Sequence, residues 1–298
     1  MSEWPQLSFV PISRGLRLAV RKYPGSRRPF LLVHGLASNA RLWDLVARHL
    51  AEAGHETVAV DLRGHGQSDA PPDGYDTETA ASDLVRLCGA LGLEGERLPI
   101  AVGQSWGGNV VLTLAARYRA VTGLVLVDGG WLCPRDRFPT FEECWSVLAP
   151  PEFTGVRVDD MRRHLRSAHP DWPAESHEAV LGNFHILPDG TVRPRLDRDH
   201  HRSILYSLWS GNPRELYPLV DVPVLLVAAV GAHLDPDTDH QLLGQEKPGI
   251  LDACTMLRDV DVRWYVGADH DLHAQHPQRL AADLLEFAAR IDRVPETG

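Results

Sequence analysis

The sequence lacks the features that mark membrane-spanning and secreted proteins. None of its apolar runs approaches the roughly 20 residues that cross a bilayer. Residues 1–10 contain neither the basic segment nor the apolar core of a signal peptide. We therefore expect a cytoplasmic protein that has no membrane as a partner.

Basic charge and cysteine are also scarce. Lysine and arginine total 30 residues against 40 aspartates and glutamates, and the formal net charge of −10 disfavours nucleic acids and anionic membranes as partners. Lysine occurs at only two positions, Lys22 and Lys247, and this scarcity by itself indicates no mechanism. The cysteines have no paired spacing, so we expect free thiols in a reducing compartment. They are Cys88, Cys133, Cys144 and Cys254.

Apolar strands alternate with amphipathic helices over most of the chain. This alternation predicts an α/β fold with a mostly parallel sheet of eight strands that helices cover on both faces. The first two strands form a hairpin around residues 13–15. The predicted strands are residues 7–10, 16–22, 30–33, 57–60, 99–102, 123–127, 222–229 and 262–266. The main predicted helices are residues 76–88, 106–118, 159–168, 241–257 and 278–290.

The alternation lapses between residues 131 and 217, a stretch with many prolines and four of the eight tryptophans. We therefore predict an α/β core formed by residues 1–130 and 218–298, with residues 131–217 inserted as a helical lid. The tryptophans of the lid can simply form its own core. However, an apolar substrate needs an aromatic wall, so we expect at least one of them to face a pocket. The candidates are Trp131, Trp145 and Trp209.

The motif that carries most chemistry is G-x-S-x-G at residues 103–107. It stands where a buried strand turns into a helix, which is the setting that holds a serine on a tight, strained turn with its hydroxyl exposed. We predict Ser105 as a nucleophile. The amide of Trp106, at the start of the helix, is a predicted donor to an oxyanion.

A serine needs a base, and the loop after the last predicted strand supplies a histidine. Parallel strands deliver their carboxyl ends to one edge of a sheet, so His270 can meet Ser105 despite their separation in sequence. His273 and His276 are alternatives, either of which is also typical of a surface or capping residue. We favour His270 because it comes first after the strand and follows small residues.

With these motifs the sequence resembles the α/β-hydrolase superfamily over residues of about 30–130 and 220–290. The resemblance rests on His-Gly at residues 34–35, on D-L-R-G-H-G-Q-S at residues 61–68, on the serine turn and on the His270 loop. It implies that the amide of Leu36 is the second oxyanion donor, and that Asp61, Arg63 and Ser68 form a structural turn. It also implies hydrolysis, and a serine nucleophile excludes the dehalogenases and epoxide hydrolases of this superfamily that use aspartate.

The acid that orients the histidine has two candidates. The resemblance implies an acid after the sixth or, more commonly, the seventh strand of the sheet. Asp128 directly follows the sixth strand, although an aspartate there is frequent in the family without a catalytic role. After the seventh strand the usual G-x-x-D spacing is missing, and Asp235 would serve only if the loop carried an extra residue. We favour Asp128.

Metal sites have weak support in the sequence. Residues 235–246 resemble a calcium loop, but His240 stands where such a loop needs glycine, so an acidic helix start explains the run better. The pair His200-His201 and the spacing of His270 and His273 match no zinc motif. We expect no metal and no cofactor.

The predicted function is hydrolysis of a carboxylic ester or lactone of a small, largely apolar molecule through an acyl-enzyme on Ser105. Hydrolysis of a carbon–carbon or amide bond and cofactor-free perhydrolysis use the same residues and remain alternatives. A ligand sensor on the same scaffold is the alternative from another class, since fold alone does not establish function.

Overall fold

The apolar runs of the sequence become the strands of one eight-stranded sheet in the computed structural model, which describes residues 4–232 and 247–293. The strands are β1 (Gln6–Ser13), β2 (Leu16–Tyr23), β3 (Arg27–Val33), β4 (His55–Val60), β5 (Ile100–Gln104), β6 (Gly123–Val127), β9 (Val224–Val230) and β10 (Val260–Val266). Their order in the sheet is β1-β2-β4-β3-β5-β6-β9-β10. All neighbours are parallel except at the β1–β2 and β2–β4 pairs. The predicted mostly parallel α/β sheet is confirmed.

The central strands are buried on both faces. Every residue of β5, β6 and β9 is buried, as expected for parallel strands that helices cover on two sides. Successive residues of β6 enter different clusters: Leu124 and Leu126 pack in one, Val125 and Val127 in the other. This alternation follows from the two-residue period of a strand, and it explains why these segments read as unbroken apolar runs.

Helices pack on both faces of this sheet. Helix α2 (Thr77–Leu91) begins after Asp76, whose side chain accepts from the amide of Thr79, and Gly92 with a φ of 67° caps its end. Helix α3 (Trp106–Thr113) is shorter than predicted, because the chain widens into a π-helical turn over Leu114–Tyr118. The helices are α1 (Asp44–Glu52), α2 (Thr77–Leu91), α3 (Trp106–Thr113), α4 (Phe141–Leu148), α5 (Val158–Ala168), α6 (Ala174–Val180), α7 (Arg198–Ser210), α8 (Pro248–Met256), α9 (Leu272–Gln275) and α10 (Pro277–Ile291). None of them is long and apolar enough to cross a membrane.

Between β6 and β9 the chain leaves the sheet and forms α4 to α7. It also forms a hairpin, β7 (Phe184–Ile186) with β8 (Val192–Pro194), which the sequence did not predict because three-residue strands are too short to reveal a period. Hydrogen bonds attach this insert to the core. The side-chain amide of Asn39 donates to Ala179 O at 2.9 Å and to Asn183 Oδ1 at 2.6 Å. The insert therefore lies against the loop that follows β3.

Candidate active site

Ser105 occupies a strained turn between β5 and α3. Its φ of 53° and ψ of −123° are unusual for a residue with a side chain, and its amide donates to Val127 O at 3.0 Å. The turn needs glycine where the backbones meet: a β-carbon on Gly107 would lie 2.5 Å from His34 O, and one on Gly129 would lie 2.1 Å from Ser105 O. The surrounding glycines thus let the strained serine sit against two neighbouring loops.

The loop after β3 passes directly beside this serine. A β-carbon on Gly35 would lie 2.9 Å from the Cβ of Ser105, so the next residue, Leu36, is close to the serine turn. Ala37 has a φ of 57°, which turns the chain away again. On the other side, Trp106 begins α3, and the first amides of a helix have no partner within it. One predicted oxyanion donor therefore comes from the loop after β3 and the other from the first residue of α3.

Two neutral histidines hold these loops in place. His34 is buried, and its Nε2 accepts from the amide of Leu62 at 3.0 Å. His65 is buried, and its Nε2 accepts from the amide of Ala37 at 3.2 Å. Burial lowers the pKa of both rings, so each keeps an unprotonated nitrogen as an acceptor. They support the backbone beside Ser105.

The turn over residues 61–68 is built as the resemblance implied. The Asp61 carboxylate accepts from the amides of Ala40 at 2.7 Å and Gln67 at 2.9 Å. Ser68 Oγ accepts from the amide of Ala19 at 2.8 Å. Arg63 forms a buried ion pair with Asp83 at 2.7 Å. These contacts join β2, α2 and the loop after β3 on one side of the serine turn.

His270 and Asp128 meet at the carboxyl edge of the sheet. His270 Nδ1 lies 2.6 Å from Asp128 Oδ2, although the residues are 142 positions apart in sequence. Asp128 is 1% exposed, and its φ of 42° directs the chain sharply after β6. The side chain of Gln104, next to Ser105, donates to His270 O at 3.2 Å. The structure therefore brings the loops of all three residues to one place.

Comparison with known proteins shows the family to which the fold belongs. A family model described as the alpha/beta hydrolase fold matches residues 28–157. N-formylmaleamate deformylase of Pseudomonas putida KT2440 is 34% identical over 244 residues, which are 80% of this chain and 84% of that protein. The chain belongs to the α/β-hydrolase family.

Two further comparisons extend over almost the whole α/β-hydrolase chain. The non-heme chloroperoxidase of Streptomyces lividans is 36% identical over 293 residues, which are 94% of this chain and 99% of that protein. The crystal structure of E-2-(acetamidomethylene)succinate hydrolase superposes with a TM-score of 0.77 at 24% identity, covering 96% of this chain and 99% of that one. The latter supports the fold alone. Several other curated relatives are matched over 38% or less of their own length.

A lysine that no sequence pattern indicated contacts the carboxylate of Asp128. Lys247 Nζ lies 2.9 Å from both carboxylate oxygens of Asp128. One of only two lysines in the chain thus forms an ion pair with the buried acid, 119 positions away in sequence. The scarcity of lysine was the available signal, but no local pattern connected Lys247 with the end of β6.

The charges of this cluster set the protonation of its members. Burial alone would raise the pKa of Asp128, but the hydrogen bond from His270 and the charge of Lys247 outweigh burial and hold that pKa below its usual value. Burial would likewise lower the pKa of His270, and the hydrogen bond and charge of Asp128 outweigh it, so the pKa is raised. Lys247 acts against that rise. Asp128 is therefore an anion at neutral pH.

The two alternative histidines occupy different surroundings. His273 is completely buried with its ring centroid 4.5 Å from that of Trp43, and burial lowers its pKa to about 3. His276 precedes α10, and its ring lies 6.0 Å from that of Tyr265. Among the residues that the structure describes, neither contacts a carboxylate as His270 does. Asp235 and the rest of the calcium-like run up to Glu246 lie outside the described residues.

The three tryptophans expected at a substrate pocket are packed in other ways. Trp131 is buried in the core cluster beside α8. Trp145 lies under the guanidinium group of Arg198 at 5.2 Å, and Trp209 donates from Nε1 to Phe138 O at 2.8 Å. A cavity of about 860 Å³ does lie between the insert and the loop after β3, but its described walls include none of these indoles.

That cavity, which we call the lid cavity, begins beside the oxyanion loop. Its walls include Ala37, Ser38 and His65 from the core, and its volume is within the range typical of small-molecule sites. The His65 ring lies 5.8 Å from the ring of Trp106, the residue after Ser105. Within residues 4–232 and 247–293, no cluster of His, Cys, Asp and Glu side chains is arranged to hold a metal ion.

Proposed function

We propose that this α/β-hydrolase is a serine hydrolase that cleaves a carboxylic ester or lactone of a small molecule through an acyl-enzyme on Ser105. The observation that carries the proposal is the 2.6 Å contact of His270 Nδ1 with the buried Asp128, at the sheet edge where Ser105 stands on its strained turn. Such an arrangement of serine, histidine and acid is the basis of nucleophilic acyl transfer.

The proposed reaction has two halves. Because Nδ1 of neutral His270 donates to Asp128, its Nε2 is free to take the proton of Ser105 as Oγ attacks the substrate carbonyl. The amides of Leu36 and Trp106 donate to the tetrahedral oxyanion. His270 passes its proton to the leaving group, and the acyl-enzyme forms. His270 then takes a proton from water, which attacks the acyl carbon. As the C–O bond to Ser105 breaks, His270 returns that proton to Oγ, and the acid product leaves.

We further propose residues 131–217 as the lid of this site. The lid cavity lies between that insert and the oxyanion loop, which is where a substrate acyl group would extend from Ser105. The hydrogen bonds from Asn39 to Ala179 and Asn183 support this placement of the lid over the loop. The substrate would enter between the two.

Amide cleavage is the second candidate, and the relative named N-formylmaleamate deformylase favours it. The same acyl-enzyme forms from an amide when His270 protonates the leaving nitrogen. Rates on p-nitrophenyl acetate and p-nitroacetanilide separate the two proposals. A comparable kcat/KM on both compounds would favour the amide, and a strong preference for the acetate would favour the ester.

The test of the nucleophile is labelling with a fluorophosphonate, followed by peptide mass spectrometry. We expect one label per chain, on Ser105, because only an activated serine attacks phosphorus at a useful rate. Ser82→Ala is the matched control: this serine lies on α2 and does not line the lid cavity, so its loss should leave labelling intact. A label on another residue would contradict the assignment of Ser105 as the nucleophile, and the absence of any label would favour a sensor.

The pH profile tests the role of Lys247. Its charge opposes the rise in the pKa of His270, so Lys247→Met should raise that pKa further. His270 acts as a base only when neutral, and kcat/KM falls as pH drops through its pKa. We therefore expect the acidic limb of the profile to move to higher pH in Lys247→Met. Lys22→Met, in β2, removes the other lysine and should leave the limb unchanged; a limb that moves to lower pH in Lys247→Met would contradict the argument.

A further inference from the structure

The lid cavity is basic in a protein that is acidic as a whole. Three arginines contribute to its walls, while the chain carries a formal net charge of −10. Two acidic residues, Glu152 and Asp197, also line the cavity. The arginines are Arg193, Arg195 and Arg198. A concentration of cations in one cavity indicates a ligand that carries negative charge.

The two acids of the wall are already engaged. Glu152 Oε1 lies 3.0 Å from Arg198 Nη1, so these two charges form an ion pair. Asp197 accepts from the amide of Asp199 at 2.8 Å and caps α7. Among the residues that the structure describes, Arg193 and Arg195 have no ion-pair partner.

Arg195 is the better candidate of the two for binding an anion, because it is less exposed than Arg193. It directly follows β8, and its amide donates to Asn183 O at 2.9 Å, which fixes its backbone to the start of the hairpin. Its side-chain Nε is buried and has no hydrogen-bond acceptor among the described residues. A buried cationic donor without an acceptor is costly, and a carboxylate is the group that best supplies one, since its two oxygens match the guanidinium fork.

The histidines of the same wall add hydrogen-bonding groups rather than charge. Burial lowers the pKa of His201 to about 4, and burial together with the charges of Arg195 and Arg193 lowers the pKa of His185. Both rings are therefore neutral near pH 7. The positive charge that a ligand meets in this cavity comes from the arginines.

Asn183 connects Arg195 to the oxyanion loop through hydrogen bonds. Asn39 Nδ2 donates to Asn183 Oδ1 at 2.6 Å, and Asn183 also accepts from the amide of Arg195 through its carbonyl oxygen. Ala37 and Ser38, which follow Leu36 in the chain, line the same cavity. The wall thus includes residues adjacent to the proposed oxyanion donor as well as Arg195, together with apolar side chains such as Met161 and Phe184.

We propose that the lid cavity binds a carboxylate of the substrate through Arg195, with Arg193 as a second cation. The substrate is then an acid as well as an ester or amide: a half-ester or half-amide of a short dicarboxylic acid, whose free carboxylate lies under the lid while its acyl carbon reaches Ser105. This inference rests on the proposed function and names its substrate class.

A matched pair of esters tests the inference. p-Nitrophenyl butyrate and mono-p-nitrophenyl succinate have acyl chains of the same length, and only the succinate ends in a carboxylate. We expect wild-type kcat/KM to be at least about tenfold higher on the succinate after its spontaneous hydrolysis is subtracted, because hydrogen bonds to charged groups are worth this much or more. Equal or lower activity on the succinate would overturn the proposal.

Arg195 variants locate the effect. Arg195→Gln should lower kcat/KM on the succinate by about 10- to 100-fold and change that on the butyrate less than about threefold. Arg195→Lys, which keeps the charge without the fork, should be intermediate. Arg166→Gln, an exposed arginine on α5 outside the cavity, makes the same change of charge and should not alter the ratio. An equal loss on both esters in Arg195→Gln would overturn the assignment.

Binding without turnover separates this inference from the proposed reaction. Titration calorimetry with succinate on Ser105→Ala measures the carboxylate site alone, whether or not Ser105 is the nucleophile. We expect binding to Ser105→Ala that weakens about tenfold or more when Arg195→Gln is added. Unchanged affinity in the double variant would overturn the carboxylate site even if the ester assays supported a serine hydrolase.

Discussion

The Ser105→Ala variant should lose hydrolysis of p-nitrophenyl esters by about 10⁵- to 10⁶-fold in kcat. Alanine removes the Oγ that attacks the carbonyl, so no acyl-enzyme forms and the reaction has to proceed by direct attack of water. The residual rate should still exceed the uncatalysed reaction, because the amides of Leu36 and Trp106 do not depend on the serine side chain. The measurement compares the initial rates of the two proteins, and titration of the active sites of the wild type converts its rate into kcat.

Ser82→Ala provides the comparison for that loss. Ser82 is half-buried on α2 and does not line the lid cavity. It should retain activity within a few-fold of the wild type. Equal esterase activity in wild type and Ser105→Ala would refute the enzyme proposal and leave the sensor.

The second large effect is expected for Asp128→Asn, which should lower kcat by on the order of 10⁴-fold. The carboxylate accepts from Nδ1 of His270 at 2.6 Å and stabilises the imidazolium that forms in the transition state. Asparagine removes that charge, and its amide can donate to Nδ1 and thereby place the histidine proton on Nε2, where it prevents base catalysis. The buried carboxylate also neutralises Lys247, so the variant leaves a lysine without its partner.

Asp235→Asn is the matched control, since it makes the same chemical change at the alternative acid. We expect near wild-type kcat for it. A structural role for Asp128 would be distinguished by the pH profile: loss of its charge should lower the pKa of His270 and move the acidic limb of residual activity to lower pH. If Asp128→Asn keeps near-normal kcat while Asp235→Asn loses activity, the assignment of the acid is wrong.

The parts of the site differ in how directly they could be predicted. The setting of Ser105 follows from one stretch of chain: a buried strand, glycines that permit close backbone contact, and a helix that begins at Trp106. The strand ends before Asp128 and His270 were likewise predictable, because each is preceded by an apolar run. The hairpin that carries Arg195 was not, since three-residue strands have too few positions to show a period.

The α/β class, the eight strands and the position of the strained serine could be predicted from the sequence alone, because each depends on neighbours within one element. Which side chains meet depends on the tertiary structure. Strand order brings β6 beside β9 and β9 beside β10, and so places His270 2.6 Å from Asp128 across 142 residues. The same packing sets Lys247 on that carboxylate and Arg195 in the wall of the lid cavity. No local pattern encodes such contacts, because they depend on distances between elements that only the packed sheet and insert define.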